Sequence, residues 1–217
     1  MPELETLSLG PNEAVSGKPF TSIKLIAVDL TVLGGMIDDL VGALAEVEAG
    51  TRTILSHDRL AWTSNGLARR LLICDEKRLR VHPEACVVGF FGERRTELDI
   101  GPLEEANSAI VAQFRNYPGI LSYSSVELPN GYWANMVLHD DPVDREYWSR
   151  GALHAQAART LSPVHYRTVR IHNARLTARI EEHPEIRVLK TKYWDYSETG
   201  PWTAERELVV SDPNAAH

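Results

Sequence analysis

From residue 23 onward, apolar and polar positions alternate regularly enough to place elements. Residues 1–22 carry Gly10, Pro11, Gly17 and Pro19 with little apolar pattern, and read as an N-terminal arm. The run IKLIAVDLTVL (23–33) is unbroken and rich in β-branched residues, which predicts a strand. After Gly34-Gly35 the period changes. Ile37, Leu40, Val41, Leu44 and Val47 recur at three- and four-residue steps, predicting a helix that Gly50 ends. Two strand-like runs follow, 51–62 and 67–75, joined through Ser64-Asn65-Gly66. An Asn-Gly pair tolerates the positive φ of a tight hairpin turn, so these runs are read as a hairpin.

The second half repeats this order. ACVVGFFGERR (85–95) predicts a strand; Leu103, Ala106, Ile110, Phe114 and Tyr117 form a helical stripe stopped by Pro118-Gly119. ILSYSSVEL (120–128), an Asn130-Gly131 turn and YWANMVLHDD (132–141) come next. The tripeptide Ile-Leu-Ser precedes both hairpins, at 54–56 and 120–122, consistent with an internally duplicated βαββ unit. Asp141 and Pro142 then read as an N-cap followed by proline at the first helical position, opening a helix over 144–160. Strands are predicted at 165–176, 186–196 and 202–210. The βαββαβ order with a trailing strand is that of the ferredoxin-like split βαβ. The expected fold is therefore α+β: tandem ferredoxin-like units forming an antiparallel-sheet α+β barrel, with a pocket between sheet and helices. The expected divisions are the arm 1–22, a first βαββ unit 23–84, and a second unit with C-terminal strands 85–217.

Composition narrows the function classes. The 217 residues include 23 Lys+Arg and 30 Asp+Glu, a net charge of −7, which excludes a general nucleic-acid binder. Hydrophobic content of 43% belongs to a folded domain. No run approaches the ~18 apolar residues of a membrane span, and the acidic start lacks a signal pattern, so a cytoplasmic location is expected. Cys74 and Cys86 lack CxxC spacing and read as two buried thiols, with no disulfide and no metal site. GxGxxG, P-loop, GxSxG, HExxH and EF-hand patterns are all absent from the sequence.

Histidines and aromatics, by contrast, are concentrated. His139, His154, His165, His172 and His183 fall within 45 residues, together with Trp133, Trp148 and Trp194. A pocket of aromatic rings and a few imidazoles suits a flat, apolar, oxygenated ligand, because rings stack and histidines deprotonate phenolic hydroxyls. Aromatics on strands are more often core and most histidines structural, so the cluster carries the argument rather than any one member. On the predicted helix, His154 shares a face with Tyr147, Gly151, Ala158 and Leu161. On the following strand, alternation puts Tyr166, Thr168, Arg170 and His172 on one face, where Arg170 and His172 suit an acid–base and anion-holding pair. Trp133 and Asn135 share a face of their strand, and Asn135 is placed to orient a carbonyl. The segment Tyr193-Trp194-Asp195-Tyr196 is read as capping a pocket or a dimer seam. From the first half, His57 and Trp62 join the candidates, while His82, His183 and His217 are read as surface residues.

These residues carry a resemblance. NGYWANMVLHDDP, the element YWSRGALHAQAA with Trp148 six residues before His154, and SPVHYRTVRIHNARL followed by TKYWDY resemble the dimeric α+β barrel oxygenases of antibiotic biosynthesis. That family includes anthrone oxygenases and angucycline ring-opening oxygenases. The likeness covers about 85–196, and 23–75 through the duplication. It implies a monooxygenase acting on an aromatic polyketide, hydroxylating or cleaving a ring of a polycyclic phenol or hydroquinone with O2. It further implies a homodimer, no tightly bound metal, and reduced flavin from a partner flavin reductase as an electron source. His154 or His172 would be the base, Arg170 or Asn135 would hold the oxyanion, and Trp62, Trp133, Trp148, Tyr166 and Trp194 would line the cavity. The same barrel hosts haem enzymes of the chlorite dismutase and aldoxime dehydratase kind, for which His172 is the candidate iron ligand. A non-catalytic hydrophobe-binding barrel is the third alternative.

Overall fold

The computed structural model describes residues 5–197 and 201–208. Its elements are β1 (Thr6–Leu9), α1 (Ile23–Glu48), β2 (Arg59–Ser64), β3 (Leu67–Ile73), α2 (Glu76–Val81), β4 (Cys86–Arg94) and α3 (Gly101–Ala112). There follow β5 (Ile120–Glu127), β6 (Tyr132–His139), α4 (Pro142–Ser149), α5 (Ala152–Thr160), α6 (Ser162–His165), β7 (Tyr166–Leu176), β8 (Ile186–Asp195) and β9 (Trp202–Glu207). The first four residues of the predicted arm, the end of the strand predicted over 202–210, and His217 lie outside the described residues.

The nine strands form one sheet in the order β1-β9-β8-β7-β4-β6-β5-β3-β2, antiparallel throughout except where β1 pairs with β9. The ladder is linear: among the described residues no pairing joins β1 to β2. This is a mixed α+β fold on a large, mostly antiparallel sheet. Strands β4 to β7 and their connecting helices keep the expected β-α-β-β-α-β order. Both turn predictions hold. Asn65 and Gly66 take φ of 51° and 76° at the β2–β3 hairpin, and Gly131 takes 78° before β6. Asp141 caps α4, its carboxylate accepting from the Asp144 N–H at 2.8 Å.

The strand expected over 23–33 does not exist. It is the first part of α1, a single 26-residue helix capped by Ser22, whose hydroxyl accepts from the Lys24 N–H. Ile26, Asp29, Leu33, Met36, Leu40 and Leu44 are buried at helical spacing, and the stripe begins inside the supposed strand. Off-stripe apolar residues such as Val28, which is 58% exposed, blurred that period in the sequence. Gly34 and Gly35 do not break the helix. Each costs about 1 kcal/mol of helix propensity, whereas each fully buried leucine contributes roughly 2 kcal/mol. The first half thus lacks the leading strand of a βαββ unit, and the duplication fails at that element.

The two faces of the sheet are covered differently. On one, α1 packs on Leu71, Val87, Phe91, Leu121, Met136 and Leu138. Gly89 permits this close approach, since an added Cβ would lie 2.8 Å from a Leu33 methyl group. The other face carries Leu72, Cys74, Tyr123 and Val137 beneath Phe114 and Trp148.

Candidate functional site

On this second face a cavity of about 790 Å³ opens between the sheet and α3, α4 and α5. Strand alternation supplies its floor: Trp133, Asn135 and Val137 from β6, Val169, Ile171 and Asn173 from β7, and Lys192 and Trp194 from β8, with Tyr196 just beyond. Ile110, Phe114, Trp148, His154, Ala157 and Ala158 supply the helical wall.

The helix expected over 144–160 is two helices. Gly151 adopts ψ 136° between them, and an added Cβ there would collide with the Tyr117 hydroxyl. The break frees the Ser149 carbonyl, and His154 answers it: its Nδ1 lies 3.1 Å from that oxygen. A carbonyl only accepts, so Nδ1 carries the proton in the neutral ring and Nε2 keeps the lone pair. Burial pushes the pKa of His154 below its usual value, with the Ser149 bond acting in the opposite direction, so the ring is neutral at physiological pH. Its centroid stands 4.2 Å from that of Trp148.

A second polar group sits on the sheet. The Tyr123 hydroxyl lies 3.1 Å from Asn107 Oδ1 and 3.0 Å from Asn135 Oδ1. One hydroxyl proton serves one of these oxygens, so the other side chain turns its NH₂ to the phenol. Burial raises the Tyr123 pKa and keeps it a neutral donor. Tyr123 and Asn107 escaped the sequence reading because serines surround Tyr123 and Asn107 is a lone amide within an apolar stripe; the available signal was that Asn107 falls at helical spacing between Leu103 and Ile110, on the face that lines the cavity. His139, on the same face, is fully buried, and neither ring nitrogen has a hydrogen-bond partner among the described residues. Burial, with the nearby charges of Arg145 and His154, drives its pKa down to about 3.

Six candidates therefore meet in one cavity: Trp133, Asn135, Trp148, His154, Tyr166 and Trp194. Tyr166 arrives by a route alternation did not predict. A bulge where Arg94 pairs with Tyr166 and Glu93 with Thr168 leaves Arg167 unpaired and turns Tyr166 away from the face of Thr168 and Arg170. Gly92 makes room, since an added Cβ would overlap the Tyr166 ring. The predicted seam divides likewise: Trp194 and Tyr196 line the cavity, whereas Tyr193 bonds Arg206 and Asp195 pairs with Lys18.

Arg170, His172 and Trp62 are not brought there. Trp62 packs against the α1 cluster. Arg170 and His172 do share a face, but the anion they hold is the chain's own Asp29 on α1. Arg170 Nε and Nη2 donate to the carboxylate at 2.7 and 2.8 Å, and His172 Nε2 lies 2.8 Å from it. His172 Nδ1 meets the Thr191 hydroxyl at 2.9 Å. Burial alone would raise the Asp29 pKa, but the bonds from His172 and Arg170 outweigh it and hold the carboxyl below its usual range. With both nitrogens engaged and no exposed surface, His172 does not fit an iron ligand. Both cysteines are buried and unpaired.

No family model, curated protein or solved structure matches the chain. No helix among the described residues is long and apolar enough to cross a membrane. Fold and site together define a mixed α+β protein with an aromatic-lined, histidine-bearing cavity between its sheet and helices.

Proposed function

We propose that this protein is an oxygenase that holds a polycyclic phenol or hydroquinone in the cavity and oxidises it with O2, His154 acting as the base. The observation that carries this reading is His154 itself: a neutral imidazole with its tautomer set by the Ser149 carbonyl, lining an aromatic chamber. A base for a phenol or an activated C–H needs a free lone pair at neutral pH, and Nε2 has one. Trp133, Trp148 and Trp194 stack against the ring system, and an N–H of Asn135, whose amide the Tyr123 hydroxyl holds in place, donates to the developing oxyanion.

For an anthrone-type substrate the chemistry balances without external reductant: R₂CH₂ + O2 gives R₂C=O + H₂O. Nε2 takes one C–H proton, and the carbanion passes one electron to O2. The radical pair combines into a C–O bond, and the hydroperoxide loses water as the second C–H proton leaves and the O–O bond breaks. Ring hydroxylation needs two more electrons, which a diffusing reduced flavin from a reductase supplies. The order β7-β4-β6-β5, that of one ferredoxin-like split βαβ unit, supports placing this chain beside the barrel oxygenases it resembles.

The test is O2 uptake with a dihydroxyanthrone, measured above its uncatalysed autoxidation. His154→Ala is expected to lower turnover about a hundredfold while folding and binding persist. Normal turnover by the folded variant removes His154 from the mechanism. Binding without O2 uptake in the parent protein, with or without reduced flavin, leaves a binding protein instead of an enzyme.

A further inference from the structure

The charge at the cavity runs against that of the chain. The protein carries a net −7, yet Arg145, Arg150, Arg159, Lys190 and Lys192 line the cavity against a single carboxylate, Glu146. Glu146 is taken by Arg150, and Lys190 is taken by Glu205 and Glu207. Arg145, Arg159 and Lys192 form no ion pair among the described residues. They come from three elements, α4, α5 and β8, and line the same cavity.

Arg145 is the most telling of the three. It is half-buried, and among the described residues its guanidinium makes one hydrogen bond, a long one of 3.4 Å to Asn173 Oδ1. Its field reaches inward, where it opposes protonation of His139. Other buried or part-buried guanidinium groups are answered: Arg69 by Asp39, Arg94 by Glu127 and Arg170 by Asp29, while Arg206 is held by the Tyr193 hydroxyl and the carbonyls of Gly10, Glu13 and Thr21. A cation left unpaired beside an apolar chamber attracts an anionic ligand, because field lines concentrate where solvent is displaced. A guanidinium also presents two parallel N–H groups that match a carboxylate.

We propose that the cavity selects an aromatic ligand bearing an acidic group, a carboxylate or its equivalent, with the rings among the tryptophans and the anion held at the mouth by Arg145, Lys192 and Arg159. This rests on the reading of the cavity as an aromatic-substrate site and names the class of substrate it takes. An arylcarboxylate fits both halves; a neutral hydrocarbon leaves the mouth unanswered.

Two fluorescent probes separate the two ideas. Anilinonaphthalene sulfonate and N-phenylnaphthylamine share one ring skeleton and differ by the anionic group. The sulfonate is expected to bind at least tenfold more tightly at about 0.01 M salt, with the gap closing toward 1 M as screening shortens. Arg145→Met is expected to weaken sulfonate binding about tenfold and leave the neutral probe within about twofold. Lys192→Met, at an exposed strand position, repeats the test without risk to folding. Ala158→Trp fills the chamber and is expected to abolish binding of both probes. Equal affinity for the two probes, or indifference to salt and to both cation variants, overturns the acidic-ligand proposal while the aromatic cavity stands. Binding of neither probe, or binding unchanged in the Ala158→Trp protein, overturns the aromatic reading and the proposal with it.

Discussion

Strand β7 turns Arg170 and His172 to one face of the sheet and Val169, Ile171 and Asn173 to the other, and the two faces treat polar groups in opposite ways. Beneath α1, the buried carboxylate is answered internally: Asp29 is gripped by Arg170 and His172, and Thr191 completes the set. Beneath α3, α4 and α5, by contrast, the helices stand off the sheet. There His154 presents a free lone pair, Tyr123 a phenol and Arg145 an unpaired cation. Residue type alone says nothing about this difference. What separates a structural ion cluster from a site is whether the covering helix brings its own counter-charge, as α1 does with Asp29.

The sharpest way to break the comparison is Asp29→Asn. It leaves Arg170 buried and charged with no counter-ion, and is expected to cost about 3–5 kcal/mol in denaturant unfolding. His154→Ala, the matching change on the open face, is expected to remove activity and leave stability within about 1 kcal/mol. If Asp29→Asn left stability intact but stopped turnover, the assignment of the two faces would be reversed.

A smaller effect lies on the pH axis. The unfolded chain protonates His139 below the ordinary value of 6.5, while the folded protein keeps it neutral down to about 3. Stability therefore drains as pH falls through that window, by about 2 kcal/mol at pH 5. His139→Phe is expected to flatten this slope in urea titrations run from about pH 7 to 5, with no loss at neutral pH, because the imidazole has no partner to forfeit. The carboxylate of Asp29 acts in the same sense but in a more acidic window. Its contribution is present above the ordinary carboxylate value of 3.8 and is lost only as pH falls through its lower folded value. The open face thus weakens first on acidification, and an acid midpoint unmoved by His139→Phe would contradict that order.

The smallest effect concerns α1. Gly34 and Gly35 sit inside the helix, and an added Cβ at either meets nothing within 4 Å. Gly34→Ala is expected to stabilise the protein by up to about 1 kcal/mol, raising Tm by about 3 °C without altering probe binding in the cavity. A loss of stability there would mean that α1 needs a kink at this point.

Legibility in the sequence followed the range of the interaction. Asn65-Gly66 and Asp141-Pro142 were readable because turn and cap chemistry is decided within four residues. So was the β-α-β-β-α-β order of residues 86–176, and so was the gathering of Trp133, Trp148, His154 and Trp194 around one cavity. The segment 23–33 misled, since an apolar run satisfies a buried strand and a buried helix equally until a partner surface chooses between them. Tyr166 left its alternating face through one bulge, which no periodicity foretells.

By itself, then, the sequence determined the hairpin turn, the cap of α4, the β-α-β-β-α-β order of residues 86–176 and the residue types that would crowd the sheet. Tertiary structure alone decided three matters: that α1 delivers Asp29 to Arg170 and His172, that Gly151 breaks a helix so that His154 binds the freed Ser149 carbonyl, and that Arg145 keeps no counter-ion. Each depends on groups far apart in the chain or on a helix break at which Gly151 packs against Tyr117, and the desolvation that sets their charge exists only once the layers have closed.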